Sequence, residues 1–159
     1  MEWSDLLKLS HVGLAFALVA GLAGRAILLR RAERANNLTE AALFAEAASP
    51  FERTVILSSM LVLPAGLLTA WAQGYPWLGL TTGWMLASLV IYLANLVLVP
   101  TIFIPRGRVF ESAMADAQRT GIITDELRNA FADPAVRRAR NGEVVGIGVI
   151  VALMVLKPF

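Results

Sequence analysis

The chain contains no cysteine and only one histidine among its 159 residues. The absence of cysteine excludes disulfide bonds, thiolate metal sites and cysteine nucleophiles. One histidine cannot build a multi-histidine metal site or a bis-histidine haem site within one protomer. The sequence therefore lacks the residues on which most metal centres and many covalent catalysts depend.

Charged residues are also scarce. Only 16% of the residues are charged and 57% are hydrophobic, whereas soluble domains average about 25% charged and about 45–50% apolar residues. The 52 residues from Thr54 to Pro105 include no Asp, Glu, Lys or Arg, although one transmembrane helix needs only about 20 residues. A turn signal, Gln73-Gly74-Tyr75-Pro76, lies near the middle of this run. The pattern predicts a hairpin of two membrane-spanning helices.

Two further apolar segments flank this hairpin, and the sequence therefore predicts an all-α, polytopic membrane protein: one domain, 1–159, forming a bundle of four transmembrane helices. The predicted spans are about 9–29, 51–72, 78–104 and 140–157. Ser49-Pro50 predicts the start of the second helix, and Asp133-Pro134 predicts an early start for the fourth. A signal peptide is the alternative for the first span, but the preceding segment carries two acids and one base instead of a basic region.

The basic residues predict the orientation. Lys8 and Lys157 lie at one end of the predicted bundle, and the other 12 of the 14 basic residues border the two long connections at the opposite end. We therefore expect both connections in the cytoplasm and both termini outside, with the lipid bilayer as the first partner. Acidic residues interspersed among the arginines argue against nucleic acid binding. Short interfacial helices are expected in the connections at 37–48 and 109–120, with Thr124 as the N-cap of a further helix.

Three features predict how the helices pack. Pro100 lies inside the third span and frees a backbone carbonyl, for which Asn95 is an expected donor. Arg25 and Glu143 lie at the same predicted boundary and are expected to pair. Small residues recur at helical spacing in the first span and predict a packing face or a homodimer contact: Gly13, Ala17 and Gly21.

His11 is the ionisable residue with the strongest case for a function. It lies inside the first apolar run, about one turn after Lys8, and ionisable groups at such depth usually face the bundle interior. It is a hydrogen-bonding residue between helices or to headgroups, a proton-transfer group for a membrane-soluble substrate, or an axial ligand of haem iron. In the haem b alternative, Met154 or Lys157 supplies the opposite ligand and Trp84 contributes to the pocket.

The tryptophans are expected near the outer membrane boundary, in the manner of an aromatic belt: Trp3, Trp71, Trp77 and Trp84. A ligand-stacking role is the alternative for these rings. An aromatic belt would support the orientation predicted from the arginines.

The segments Leu6–Val12 and Leu153–Pro158, together with the arginine cluster after the first helix, are similar to the bacterial family of predicted integral membrane proteins known as domain of unknown function 2269. The resemblance implies four helices in the bacterial cytoplasmic (inner) membrane and supplies no activity. More distantly, a histidine near the start of the first of four helices resembles the HemJ-type protoporphyrinogen oxidases and the CopD-like copper-resistance membrane proteins. The HemJ resemblance implies haem b held by that histidine and a lysine in the third helix. His11 matches the first position, but the span 78–104 contains no lysine.

The sequence contains no complete catalytic constellation: no glycine-rich phosphate loop, no Ser-His-Asp set and no paired carboxylates within the spans. We therefore expect no catalytic residues and a non-enzymatic membrane protein: a scaffold, an accessory subunit or a binder of a hydrophobic molecule, as a homo-oligomer or within a larger membrane complex. The alternative is a haem b-binding membrane protein with His11 as axial ligand, acting as an oxidoreductase on a porphyrin or quinone.

Overall fold

The computed structural model describes residues 2–158 and contains six α-helices and no strand within that range. The helices are α1 (Trp3–Glu33), α2 (Leu38–Ala72), α3 (Gly83–Leu98), α4 (Ile104–Thr120), α5 (Asp125–Phe131) and α6 (Pro134–Leu156). A short 3₁₀ turn, Pro76–Gly79, precedes α3, and a π-helical turn, Val99–Phe103, joins α3 to α4. Four helical segments are long and apolar enough to cross a membrane, and the predicted all-α membrane fold is confirmed.

The helices pack as two pairs. The first pair is α1 with α2, and the second is α3 with α6. A small apolar cluster holds the pairs together at the centre of the bundle, and its members come from all four helices: Leu14, Ala15, Leu18, Leu22, Val55, Val62, Tyr92 and Ile147. The hydroxyl of Tyr92 on α3 also donates a hydrogen bond to the backbone carbonyl of Ser59 on α2.

Close packing within the first pair depends on glycine. A Cβ atom on Gly21 would lie 2.9 Å from Cγ2 of Val55 and 3.2 Å from the carbonyl oxygen of Phe51, and one on Gly24 would collide with the ring of Phe51. Gly13, on the predicted small-residue stripe with Gly21, has no neighbour within 4 Å of such an atom. The packing face therefore occupies only the later part of the stripe.

The second helix begins much earlier than its sequence signals predict. Asn37 is the N-cap, with its side-chain oxygen accepting a hydrogen bond from the backbone N–H of Glu40 at 2.8 Å, and α2 continues through Pro50 to Ala72. The predicted helix start at Ser49-Pro50 is therefore wrong. Pro50 removes only one backbone N–H, which does not end the helix. The turns before it are rich in helix-forming residues and are buried at Ala41 and Ala48.

The third helix begins later than predicted, at Gly83 instead of near Leu78. Trp77 and Leu78 have φ angles of 50° and 58°, which a right-handed helix does not accommodate. The fourth membrane-spanning helix is α6, which starts at Pro134. The Asp133 carboxylate caps it by accepting hydrogen bonds from the backbone N–H groups of Ala135 and Val136. The early start predicted from Asp133-Pro134 is confirmed.

The π-helical turn follows from Pro100. Proline has no N–H with which to bond the carbonyl of Leu96, and this carbonyl instead accepts the N–H of Val99. The next bond shown at the turn runs from the N–H of Ile104 to the carbonyl of Val99, five residues back. The prediction that Asn95 would donate to the freed carbonyl is wrong, because the backbone satisfies it and the Nδ2 of Asn95 is buried without a partner among the described residues.

A second apolar cluster lies at the basic end of the bundle. The first turns of α2 pack there with α4 and α5 around the fully buried Leu127. We call this part, residues 38–48 and 106–132, the loop module. Of the predicted short helices, only α5 is separate, with Thr124 as its N-cap as predicted. The segments 37–48 and 109–120 instead extend the long helices: at a rise of about 1.5 Å per residue, the 35 residues of α2 extend about 52 Å, beyond a hydrocarbon core of about 30 Å.

Gly21→Leu should destabilise the protein by about 1–3 kcal/mol, because the larger side chain must displace Val55 or the backbone of Phe51. The free energy of unfolding in mixed micelles, followed by circular dichroism, measures this loss. Gly13→Leu is the matched control and should have little effect, since its side chain enters open space. Equal losses for the two variants would contradict this description of the packing face.

Candidate functional site

His11 lies between α1 and α2. Its Nδ1 is 3.0 Å from the carbonyl oxygen of Val62, and because a carbonyl only accepts, Nδ1 is the donor of this hydrogen bond. The absence of a side chain at Gly66 makes room for the ring, since a Cβ atom there would lie 2.9 Å from Cε1 of His11. This is the interhelical hydrogen bond that the sequence allows as one role for His11.

The other residues proposed for the haem alternative lie on the second helix pair. The indole of Trp84 is 6% exposed and packs edge-to-face against Tyr75, with ring centroids 6.3 Å apart. The ammonium group of Lys157 lies 5.6 Å from the centroid of the Trp84 ring, a cation–π contact. Met154 is half-buried on α6. The structure thus brings Trp84 and Lys157 together, while the hydrogen bond of His11 is to α2.

The tryptophans divide into two groups. Trp3, Trp71 and Trp77 are largely exposed, as an aromatic belt requires, whereas Trp84 is buried. Trp84 therefore does not face outward like the other three rings, because Tyr75 and Lys157 cover it, and its depth in the membrane stays a prediction. The contact of its ring with Lys157 joins the beginning of α3 to the end of α6.

A charged site lies toward the opposite end of the bundle. Nη2 of Arg25 on α1 donates to the Glu143 carboxylate on α6 at 2.9 Å, and the two side chains are only 12% and 13% exposed. The predicted Arg25–Glu143 ion pair is confirmed. The Arg25 guanidinium also lies 5.6 Å from the centroid of the Phe103 ring, which belongs to the π-helical turn. Arg25 therefore connects α1 to α6 and to the π-helical turn that follows α3.

Further charges surround this pair. Arg140 lies one turn before Glu143 on α6 and interacts electrostatically with Arg25, Arg30, Glu33 and Glu143. We call these five residues the charge cluster. The Nε of Arg140 is buried without a hydrogen-bond partner among the described residues. Sequence reasoning missed Arg140, although its i, i+3 spacing from Glu143 places the two side chains on one helix face.

With Lys157 at one edge of the hydrocarbon core, the length of α6 puts Glu143, the partner of Arg25, within the depth of a bilayer. Glu143 is 14 residues from Lys157 on α6, about 21 Å at 1.5 Å per residue, and a hydrocarbon core is about 30 Å thick. With Lys157 at one edge of the core, Glu143 lies about 9 Å short of the other edge. A carboxylate at that depth needs a partner, and Arg25 supplies it.

Within residues 2–158 no group of three or more His, Cys, Asp or Glu side chains converges on a point where a metal could bind. The hydroxyls of Ser58, Thr69 and Ser88 donate to backbone carbonyls one turn back in their own helices. The polar groups of the spans therefore act mainly in helix structure and packing.

One comparison with known proteins gives a match. A family model described as "Predicted integral membrane protein (DUF2269)" matches residues 5–158, which is nearly the whole chain. Neither a curated protein nor a solved structure matches the chain significantly. The family description agrees with the four apolar helices and adds no activity.

Glu143→Leu should cost about 3 kcal/mol of unfolding free energy, because it leaves the Arg25 guanidinium buried without its partner. The double variant R25L/E143L should be more stable than E143L alone, since both charges are then removed together. Unfolding in mixed micelles measures the four corners of this double-mutant cycle. Replacing the exposed pair Asp116–Arg119 by alanine is the control and should change little. A cycle with no coupling energy would contradict the role given to the pair.

Proposed function

The chain belongs to the DUF2269 family of predicted integral membrane proteins, and from this premise we propose that it is a membrane-anchored scaffold or accessory subunit. Its four spans hold the loop module at the membrane surface, where a homo-oligomeric or heterologous membrane partner binds it. The spans provide the anchor and the module provides the contact.

The observation that carries this proposal is the loop module itself. The long helices α2 and α4 extend past the uncharged zone and, with α5, enclose their own apolar core around Ala113, Ala117 and Leu127. A cleft of about 350 Å³ opens between this module and the end of α1, lined by a mixture of apolar and charged side chains: Ala32, Glu33, Ala35, Asn36, Ala41, Ile123, Arg128 and Phe131. A rigid surface held by a rigid anchor suits a binding role.

The polar residues of the spans support a non-catalytic role. His11, Tyr92 and Arg25 each form a bond from one helix to another. In a catalytic site such groups would converge on a shared pocket with substrate access. Here they are dispersed along the bundle at three separate interfaces.

We also propose that the protein lies in the bacterial cytoplasmic membrane with the loop module in the cytoplasm and both termini outside. The support is the concentration of arginines at the module end of the helices and the positive-inside rule. Lys8 and Lys157 are the only basic residues at the opposite end. The contact of Lys157 with Trp84 fits an interfacial position.

Leu127→Asp should abolish partner binding and leave membrane insertion intact, because it buries a carboxylate in the core of the loop module and leaves the spans unchanged. Native electrophoresis of gently solubilised membranes should show the wild-type chain in an assembly larger than one 17.2 kDa chain in its micelle. The variant should migrate as a single chain. The exposed substitution Gln118→Asp is the control, and a wild-type chain that migrates alone would contradict the proposal.

Haem binding is a second candidate, and one observation favours it. The Nδ1–H of His11 donates a hydrogen bond to a backbone carbonyl, which is how metal-binding histidines are commonly oriented. The candidate opposite ligands Met154 and Lys157 belong to α6, whereas the ring of His11 packs against α2. The donor set therefore fits haem less well than His11 alone suggests.

We expect detergent-purified protein from haem-replete cells to show no Soret absorption band, because the scaffold role requires no cofactor. His11→Ala should then leave assembly nearly unchanged, since an interhelical hydrogen bond within a membrane contributes only about 0.6 kcal/mol on average. A Soret band that His11→Ala removes would establish the haem alternative. A collapse of assembly in this variant would contradict the minor structural role given to His11.

A further inference from the structure

Arg140 forms no close ion pair in the described part of the chain. The two carboxylates of the charge cluster are taken by other arginines: Glu143 by Arg25 at 2.9 Å and Glu33 by Arg137 at 3.2 Å. Arg140 forms no ion pair within 4.0 Å and its buried Nε donates to no acceptor. A half-buried guanidinium with a buried, unbonded Nε and no ion pair favours an anion from outside the chain.

The depth of Arg140 identifies the level at which that anion lies. The residue is 17 positions from Lys157 along α6, or about 26 Å at 1.5 Å per residue, so its backbone lies a few ångströms inside a hydrocarbon core of about 30 Å. An arginine side chain extends from such a position toward the headgroups. The guanidinium therefore reaches the level of the lipid phosphates of that leaflet.

An exposed apolar stripe continues from Arg140 across the bilayer. Val144, Val151 and Val155 follow it at helical spacing and are 50%, 42% and 74% exposed. Gly148 lies on the same face, and nothing lies within 4 Å of a Cβ atom built there. The stripe is thus an exposed apolar face with a gap between the valines at Gly148, which we call the groove, and it begins at the unpaired guanidinium.

We infer that Arg140 and this groove bind one anionic phospholipid, with its phosphate on the guanidinium and an acyl chain along Val144, Gly148 and Val151. Arginine is suited to phosphate because its planar fork donates two parallel hydrogen bonds. The charge cluster favours an anion, since it has three guanidinium groups and two carboxylates. A free phosphate ion would make the same contact with the guanidinium as a lipid headgroup, but it has no acyl chain to contact the apolar groove.

Native mass spectrometry of the detergent-solubilised protein with phosphatidylglycerol tests this inference, with phosphatidylcholine of the same acyl chains for comparison. The wild type should retain phosphatidylglycerol preferentially. Arg140→Gln should weaken its binding about tenfold, as expected for the loss of a charge-assisted hydrogen bond to the lipid phosphate. Arg138→Gln is the matched control and should bind like the wild type, because Arg138 is exposed and its Nε already donates to the Pro134 carbonyl. Equal binding by R140Q and the wild type would overturn the inference.

Two further variants separate charge, groove and folding. Glu33→Gln should strengthen phosphatidylglycerol binding, because it removes a negative charge near Arg140 without entering the bundle core. Should R140Q fail to fold, unchanged or weaker binding by E33Q would refute the inference. Gly148→Leu should weaken lipid binding by filling the groove. If G148L binds like the wild type and inorganic phosphate displaces the lipid, the site is one for a free anion and the lipid assignment is wrong.

Discussion

A hydrocarbon environment offers no water to satisfy a polar group, and this constraint shapes most of the structure. The uncharged run from Thr54 to Pro105 provides two crossings with few polar groups. Most of the polar groups that remain are bonded within a helix, as in Ser88, or between helices, as in Tyr92, whereas the Nδ2 of Asn95 has no partner among the described residues. The Arg25–Glu143 pair is the costliest exception, and each charge is tolerated at that depth because the other is present.

The same constraint separates the molecule into an anchor and a projecting part. Beyond the uncharged parts of the helices, charged residues and a second apolar core occur together. Water solvates the charged faces of these segments, and the hydrophobic effect drives their apolar faces to pack against one another. The loop module around Leu127 is the result. The connection between the parts is continuous helix in α2, so the module is fixed relative to the anchor without a flexible linker.

The sequence predicts the four long apolar helices well, because the absence of charge over many residues leaves few alternatives. It also predicts the Arg25–Glu143 pair, since both residues lie at the same end of their spans. Helix boundaries are predicted less well. Pro50 and Trp77 show why: a proline within a well-packed helix does not end it, and the left-handed turn at Trp77 depends on the geometry of the whole hairpin. The unpaired state of Arg140 could not be predicted, because it depends on which carboxylates the other arginines take.

The central claim is that the chain crosses a bilayer four times, with the hairpin turn before α3 and the loop module on opposite sides. Because the natural chain has no cysteine, single cysteines placed at Thr81, Leu57 and Asn129 report accessibility without background. In intact bacterial cells, a membrane-impermeant maleimide should label T81C directly, label N129C only after permeabilisation, and leave L57C within the lipid zone unlabelled. Labelling of T81C and N129C from the same side, or of L57C from water, would contradict the proposed topology.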